Sequence, residues 1–267
     1  MPSVDRVRGA RYRARVLPLL LALLLLAVAP ASAQPTAMGV EVLASYPHDA
    51  RAFTQGLLLH DGALYESTGL VGRSSLRQVE LATGKVLRQK DLPPPLFGEG
   101  LAWTKDELVQ LTWQDGRALR WDPATFEARG EWHYDNEGWG LCFDGKALVQ
   151  SDGSHHLFFR DPATFALLRT LEVTENGQPV TRLNELECVG DTIYANVWMT
   201  DRIVAIASLN GIVRGSIDAS GLLTPDERKK IGSEAILNGI AFDPSNNTFL
   251  LTGKLWPKLF RVRFVPR

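Results

Sequence analysis

Cysteine, histidine and methionine are scarce in this chain, whose 267 residues contain two, five and three of them, respectively. Two cysteines are too few for a disulfide framework or a multi-cysteine zinc site, and the histidines show no metal-ligand spacing. The neighbours His155 and His156 would point in opposite directions if they lay in a strand. We therefore expect neither a metal nor a cofactor.

Other common signatures are missing too. The formal net charge is only −1, and no basic cluster is present to indicate a nucleic-acid partner. The sequence has no glycine-rich loop suited to phosphate and no nucleophile elbow with a recognisable partner histidine. Nucleotide-dependent and serine-hydrolase chemistries are therefore poorly supported.

Long apolar runs are missing except at the N-terminus, where arginines precede a leucine-rich run from Leu17 to Ala29 and Ala31-Ser32-Ala33 follows. This run is shorter than the ~20 residues of a membrane-spanning helix, and the small residues suit cleavage before Gln34. We predict a signal peptide at residues 1–33 and one domain at 34–267, periplasmic or secreted and free of the membrane after cleavage. An uncleaved anchor is the alternative.

The two cysteines, Cys142 and Cys188, stand 46 positions apart. An exported protein meets an oxidising environment, so we predict that they form one disulfide bond. Two buried free thiols are the alternative, because the sequence does not show whether the side chains approach each other.

A short phrase recurs five times after residue 34, with spacings of 44, 40, 45 and 54 residues. The copies are Gln55-Gly56-Leu57, Glu99-Gly100-Leu101, Trp139-Gly140-Leu141, Asn184-Glu185-Leu186 and Asn238-Gly239-Ile240. After each copy come apolar residues, a tight turn and a second apolar run, a pattern typical of a hairpin. Further strands follow, so each unit holds about four antiparallel strands, the size of a propeller blade.

The pattern predicts an all-β fold, a five-bladed β-propeller. The last copy ends after three strands, and an unassigned strand, Val40–Tyr46, precedes the first copy, so we expect the N-terminal strand to complete the fifth blade. The longest spacing leaves room for a short helical insertion from Thr224 to Gly232. A linear β-solenoid or two sandwiches are the competing architectures. Ring closure makes a monomer sufficient.

Polar and aromatic residues occupy equivalent places in the five units. Fourteen residues after the start of each of the first four phrases, at the end of the second strand, are Gly69, Trp113, Gly153 and Trp198. In the fifth unit the hairpin loop is two residues longer, and the matching residue is Lys254. In an antiparallel pair, the start of one strand and the end of the next lie at the same edge. We therefore expect the first residues of the phrases and the residues at the ends of the second strands to surround one opening near the central channel. Packing between blades is the alternative use of these aromatic residues.

Eight phrases carry a more specific signal. They are Phe53-Thr54-Gln55-Gly56-Leu57, Phe97-Gly98-Glu99-Gly100-Leu101, Leu111-Thr112-Trp113, Glu137-Gly138-Trp139-Gly140-Leu141, Leu183-Asn184-Glu185-Leu186-Glu187, Asn196-Val197-Trp198, Leu237-Asn238-Gly239-Ile240-Ala241 and Thr252-Gly253-Lys254-Leu255-Trp256-Pro257. In this order, over nearly the whole chain after residue 34, they resemble the plant and bacterial glutaminyl-peptide cyclotransferases.

The resemblance implies a five-bladed propeller that cyclises the N-terminal glutamine of peptides and proteins to 5-oxoproline (pyroglutamate) and releases ammonia. It implies that Glu99 is the catalytic acid and base, and that a disulfide joins Cys142 and Cys188. The implied pocket residues are Phe53, Gln55, Trp113, Trp139, Asn184, Trp198 and Lys254, to which the repeat register adds Asn238. Gln114 departs from the family pattern, because a basic residue is common after this tryptophan.

Two other functions stay open. A non-catalytic propeller could bind a peptide or a glycan at a tryptophan-lined mouth, although such a site does not require Glu99 opposite Lys254. A metal-dependent, lactonase-like propeller would need several channel carboxylates or histidines, and the repeat register supplies only Glu99.

Overall fold

The computed structural model describes residues 2–3 and 34–267. The predicted signal peptide at residues 1–33 lies almost wholly outside this range, and its cleavage stays a prediction. Within the described residues, no helix combines the length and the apolar character that crossing a membrane requires.

Regular structure in residues 34–267 consists of β-strands and one short helix. An N-terminal strand, β1 (Thr36–Pro47), precedes group one, which comprises β2 (Thr54–His60), β3 (Ala63–Thr68), β4 (Ser75–Glu80) and β5 (Lys85–Asp91). Group two comprises β6 (Gly98–Trp103), β7 (Leu108–Thr112), β8 (Arg117–Trp121) and β9 (Ala128–His133). Group three comprises β10 (Leu141–Phe143), β11 (Leu148–Ser151), β12 (His156–Arg160) and β13 (Leu167–Glu172).

The second half of the chain repeats this order after a small hairpin of β14 (Thr174–Glu175) and β15 (Gln178–Pro179). Group four comprises β16 (Leu183–Val189), β17 (Thr192–Val197), β18 (Arg202–Ala207) and β19 (Val213–Asp218). The helix α1 (Pro225–Ile231) then leads to group five, which comprises β20 (Leu237–Asp243), β21 (Thr248–Gly253), β22 (Lys258–Pro266) and, by pairing, β1.

The N-terminal strand closes the last group, as the sequence predicted. β1 pairs antiparallel with β22, from Met38 opposite Pro266 to Pro47 opposite Lys258. It also pairs in parallel with β19, from Thr36 opposite Gly215 to Gly39 opposite Asp218. This second pairing was not predicted, and it joins groups four and five into one eight-stranded sheet.

The first strands of the five groups contact one another in succession: β2 with β6, β6 with β10, β10 with β16, β16 with β20, and β20 with β2. The glycines of the repeated phrase permit this close approach. A Cβ on Gly56, Gly100 or Gly140 would collide with the backbone of the first strand in the next group. At these three positions only glycine leaves room for neighbouring strands to meet.

The fourth copy has Glu185 where the other copies have glycine. Its carboxylate is fully buried and accepts backbone N–H bonds from Leu57 at 3.2 Å and Ile240 at 2.8 Å. Burial raises the pKa of Glu185 well above its ordinary value, the Glu187 charge adds to this rise, and the two N–H donors oppose it. Glu185 thus bridges groups four, one and five through hydrogen bonds.

The apolar core is divided into five clusters, each between two neighbouring groups. Leu57 packs with Leu250 of group five, whereas its neighbour Leu58 packs with Leu101 of group two. Successive side chains of a strand point to opposite faces, so an inner strand covered on both faces contributes apolar residues to two clusters.

Two local predictions are confirmed. The helix α1 begins after Thr224, whose hydroxyl accepts from the Glu227 amide while the Glu227 carboxylate accepts from the Thr224 amide, a capping box. Cys142 of β10 and Cys188 of β16 form a disulfide with a Cα–Cα distance of 5.5 Å. The bond connects the first strands of groups three and four.

Candidate active site

A cavity of about 360 Å³ opens at the edge where the five first strands begin. Its walls are Phe53, Gln55, Phe97, Glu99, Trp113, Trp139, Asn184, Trp198 and Lys254. The structure brings eight of the nine sequence-predicted pocket residues together here, and it adds Phe97. Phe97 lies two positions before Glu99 in its phrase, which is the signal that could have identified it.

β-Bulges at the repeated phrases direct the first residues of these phrases toward the cavity. The strand register shifts between Thr54 and Gly56, between Gly98 and Leu101, between Leu183 and Leu186, and between Leu237 and Ile240. Such β-bulges redirect a side chain away from the normal alternation of a strand and are common beside active sites. Gln55, Glu99 and Asn184 therefore point to the cavity instead of joining the apolar layers between groups.

A recurrent backbone hydrogen bond holds the ends of the second strands against the same edge. The amides of Trp113, Trp198 and Lys254 donate to the carbonyls of Phe97, Arg182 and Ile236, at 2.9–3.0 Å. Each acceptor lies two positions before a phrase, so these bonds join residues sixteen, sixteen and eighteen positions apart. They hold the end of each second strand beside the start of its phrase, as the repeat register predicted. Gly69 and Gly153 hold this position in groups one and three, where a Cβ would strike the ring of Phe97 or Trp139.

Glu99 is the buried carboxylate of the cavity, with only 4% of its surface exposed. Gln55 donates from Nε2 to Oε1 of Glu99 at 2.7 Å. Burial raises the pKa of Glu99 well above its ordinary value, the charge of Lys254 opposes the rise, and the charge of Glu137 adds to it. A carboxyl with a raised pKa in a cleft is suited to proton transfer near neutral pH.

Lys254 is the buried cation, and its Nζ lies 4.8 Å from the ring centroid of Phe53. Burial lowers the pKa of Lys254 to about 8, against the opposing effect of the Glu99 charge. The ammonium group is therefore mostly charged at neutral pH and becomes neutral in mildly alkaline solution.

The aromatic walls touch edge to face. The ring centroids are 5.5 Å apart for Trp139 and Trp198, 5.6 Å for Phe97 and Trp113, and 6.1 Å for Phe53 and Phe97. Such arrangements are favourable for aromatic rings and keep the walls rigid. Trp113 and Trp198 remain about one-third exposed, so they form the rim.

The two asparagines of the phrases occupy different places. Asn184 lines the cavity, and within the described residues its buried Oδ1 has no hydrogen-bond partner. Asn238 is fully buried and does not line the cavity. Its Nδ2 donates to the Thr54 carbonyl at 3.0 Å and to Gln55 Oε1 at 3.3 Å. It therefore supports Gln55 from behind.

The two neighbouring histidines do not lie in one strand. β12 begins at His156, and His155 lies in the preceding bend, so the two rings lie on one side with centroids 4.0 Å apart. The strand alternation that would separate them does not apply to a bend. His155 Nε2 lies 3.2 Å from Glu172 Oε1, and neither histidine lines the cavity.

Glu99 is the only carboxylate and Lys254 the only cation among the described residues that line the cavity. An all-β scaffold with this pair in an aromatic pocket has the character of an enzyme that works by proton transfer. The chain belongs to the glutamine cyclotransferase family, whose model matches residues 16–264.

Two relatives agree with this assignment. The glutaminyl-peptide cyclotransferase of Arabidopsis thaliana is 41% identical over 230 residues, which cover 84% of this chain and 71% of the relative. The crystal structure of Myxococcus xanthus glutaminyl cyclase is similar with a TM-score of 0.83 and 40% identity, and the match covers 88% of this chain and 100% of that chain.

Proposed function

We propose that this chain is a glutaminyl-peptide cyclotransferase that acts on peptides and proteins with N-terminal glutamine. The α-amine nitrogen attacks the side-chain amide carbon of the same residue, the bond from that carbon to the amide nitrogen breaks, and ammonia leaves. The product is a peptide that begins with 5-oxoproline. Membership of the glutamine cyclotransferase family, the Arabidopsis relative and the Myxococcus structure support this reaction.

We assign the proton transfers to Glu99. A peptide α-amine has a reference pKa of about 7.7–8.0 and attacks only when neutral, so a base must take its proton. Burial raises the pKa of Glu99 well above its ordinary value, which favours proton transfer from the ammonium group. The protonated Glu99 then gives this proton to the departing amide nitrogen, and the regenerated carboxylate takes the second proton that the attacking nitrogen must lose to become the lactam N–H. That proton passes on to the released ammonia or to solvent, so one group serves every proton transfer.

Lys254 and Asn184 are assigned to the oxygen of the side-chain amide. Negative charge develops on this oxygen when the tetrahedral centre forms, and one preorganised donor contributes about 3 kcal/mol in comparable sites. Lys254 is mostly charged at neutral pH, and Asn184 lines the same cavity. Gln55 already donates to Glu99, so its amide group holds the carboxylate instead.

The aromatic walls are assigned to substrate folding and water exclusion. A cavity of about 360 Å³ lies at the small end of ligand pockets, which suits one terminal residue rather than a long peptide segment. Rigid walls hold the amine against the amide carbon and keep water away from it. Cyclisation is thereby favoured over hydrolysis to glutamate.

We further propose that the five groups form a five-bladed β-propeller that functions as a monomer after export and signal cleavage. Support for the propeller comes from five four-stranded groups and the ring of contacts between their first strands. Support for export comes from the N-terminal pattern of the sequence and from the disulfide.

The observation that carries the function is the buried Glu99 in the cavity of a family member. The test is ammonia release from a glutamine-initiated dipeptide, compared between the exported protein and Glu99→Gln. We expect turnover to fall at least about 100-fold in the variant, with unchanged circular dichroism. Glu187→Gln, a glutamate outside the cavity, is the matched control and should keep normal turnover.

Retention of more than about a tenth of the turnover by Glu99→Gln would remove Glu99 from the catalytic role. Peptide binding without ammonia release by the unmodified protein would instead support the non-catalytic binding function. Chelator should leave turnover unchanged, because every assigned step uses side chains of the cavity.

A further inference from the structure

Glu137 connects two walls of the cavity without lining it. Its Oε2 accepts the indole N–H of Trp113 at 2.8 Å and that of Trp139 at 2.9 Å. Its Oε1 accepts from the Gln114 side chain at 3.0 Å, which fixes the rotation of the carboxylate. Trp113 follows β7 of group two and Trp139 precedes β10 of group three, so one carboxylate couples two groups.

These hydrogen bonds fix the orientation of the two indole rings in the cavity wall. An indole ring has one N–H donor, and bonds to an ionised acceptor are about twice as strong as neutral ones. Trp139 also packs against Trp198, and Trp113 packs against Phe97. The orientation fixed by Glu137 is therefore passed to four of the aromatic side chains around the substrate space.

Glu137 also contributes charge to the site. Burial acts to raise the pKa of Glu137, but the hydrogen bonds from Trp139, Gln114 and Trp113 outweigh it and lower the pKa, so the group is ionised at neutral pH. This negative charge adds to the effect of burial in raising the pKa of Glu99. Geometry and charge thus act on the same cavity.

We propose that Glu137 is a positioning residue for the cyclisation, which orients Trp113 and Trp139 and places a fixed negative charge beside Glu99. The proposal rests on the proposed function. Glu137→Ala removes both contributions. Glu137→Gln keeps one acceptor oxygen for the two indole N–H groups, but removes the charge and the acceptor of the Gln114 side chain. Glu131→Gln is the matched control, because Glu131 pairs with Arg117 outside the cavity.

The experiment combines indole N–H signals in ¹H–¹⁵N spectra with steady-state kinetics over pH. In Glu137→Ala we expect the signals of Trp113 and Trp139 to move, that of Trp198 to follow its neighbour Trp139, and the other four of the seven tryptophans to stay. We expect kcat/KM to fall at least about tenfold. In Glu137→Gln we expect a smaller loss of kcat/KM. We also expect the acid limb of the pH profile of kcat/KM to move to lower pH, because the pKa of Glu99 falls when the negative charge is removed. Glu131→Gln should change neither readout.

Unmoved Trp113 and Trp139 signals in Glu137→Ala would overturn the positioning role, as would an unchanged kcat/KM. An unchanged acid limb in Glu137→Gln would overturn the charge effect. If the unmodified protein releases no ammonia, the proposed function and the catalytic part of this proposal both fail, and the spectra still decide whether Glu137 orients the two rings.

A separate observation concerns His155, His156 and Glu172. His156 and Glu172 face each other across β12 and β13, and the bend turns His155 to the same side. One ligand atom from each residue lies within 4.8 Å of the other two. Two imidazoles and one carboxylate are a donor set of zinc sites that keep an open coordination position. Cations such as Ca²⁺ and Mg²⁺ prefer all-oxygen ligands.

We propose that these three residues form a zinc-binding site outside the cavity, completed by solvent. Zinc ligand atoms lie about 2.0–2.2 Å from the metal, so the exposed Glu172 must move slightly to complete the site. The His133–Glu131 pair, with Nε2 and Oε1 3.5 Å apart, is the natural control because it has a single histidine.

Calorimetric titration of the exported protein with zinc chloride tests this site. We expect one equivalent to bind, at least about tenfold more weakly in His155→Ala and His156→Ala, and with unchanged affinity in His133→Ala. The absence of saturable binding would overturn the site. Equal affinity in the unmodified protein and both variants would overturn it as well.

Discussion

Gln55 donates a hydrogen bond to Glu99 at 2.7 Å, and this bond joins the first strands of groups one and two at the floor of the cavity. Asn238 of group five in turn donates to Gln55 Oε1 at 3.3 Å. Three of the five phrase-initial residues therefore form one chain of hydrogen bonds that ends on the carboxylate. The chain orients the Glu99 carboxylate within the cavity.

The first prediction concerns this chain. Gln55→Leu keeps a similar volume but removes the donor to Glu99, so the carboxylate gains rotational freedom. We expect kcat to fall about tenfold, corresponding to the loss of one charge-assisted hydrogen bond. Steady-state kinetics with a glutamine-initiated dipeptide measure the effect, and Gln89→Leu on the exposed strand β5 is the control. An unchanged kcat would show that Gln55 does not hold Glu99 during turnover.

The second prediction concerns Lys254. Burial lowers its pKa to about 8, so its positive charge is present below that pH and is lost above it. We expect kcat of the unmodified protein to decline above about pH 8, and Lys254→Ala to lower kcat at least about 100-fold at pH 7 with a smaller effect on KM. Lys254→Arg, which keeps its charge, should lose the alkaline decline. Unchanged kcat in Lys254→Ala would exclude the oxyanion role.

The third prediction concerns stability. Burial raises the pKa of Glu187 from 4.5 to about 8, against the hydrogen bond from the Phe242 amide. A group with a raised folded-state pKa gives its full stabilisation below the unfolded pKa and loses it as pH rises toward the folded pKa.

We therefore expect the free energy of unfolding of the unmodified protein to fall relative to Glu187→Gln between about pH 4.5 and 8, by at most about 1.4 kcal/mol per pH unit. Urea titrations at several pH values measure the difference. Glu187→Ala, which also removes the acceptor for Phe242, should be destabilised at pH 5 as well. A difference independent of pH would contradict the raised pKa.

The fourth prediction concerns the disulfide. Cys142 and Cys188 close a loop with a sequence separation of 46 residues between groups three and four. Because the bond restricts the unfolded chain, we expect replacing both cysteines with serine to lower the free energy of unfolding by about 3–4 kcal/mol. Calorimetry with and without reductant checks this, since reductant should affect only the unmodified protein. Equal Tm values in the two proteins would contradict it.

Much of the fold could be predicted because the informative signals are local. The repeated phrase, its spacing and the following turns indicate antiparallel hairpins, and hairpin geometry alone brings residues fourteen positions apart to one edge. The cap at Thr224 likewise marked the helix. Seven of the nine residues that line the cavity, including Glu99 and Lys254, followed from this register, whereas Phe53 came from the family resemblance and Phe97 was not predicted.

Residues whose role depends on a neighbouring group could not be predicted in the same way. Glu137 gave no signal of its own, because its three donors come from two groups. Asn238 shared the register of the pocket residues, yet packing places it behind Gln55. The sequence did not show that His155 lies in a bend and not in a strand, so it did not show that the rings of His155 and His156 lie on one side.

The sequence by itself determined the repeated unit, the helix, the chemistry available at the mouth and the family, because these depend on short-range pattern and residue type. Only the tertiary structure decided which side chains meet: the bridge from Glu185 to Leu57 and Ile240, the second pairing of β1 and the hydrogen bonds on Glu137. Those contacts depend on how groups distant in sequence approach one another, which no local pattern in the chain encodes.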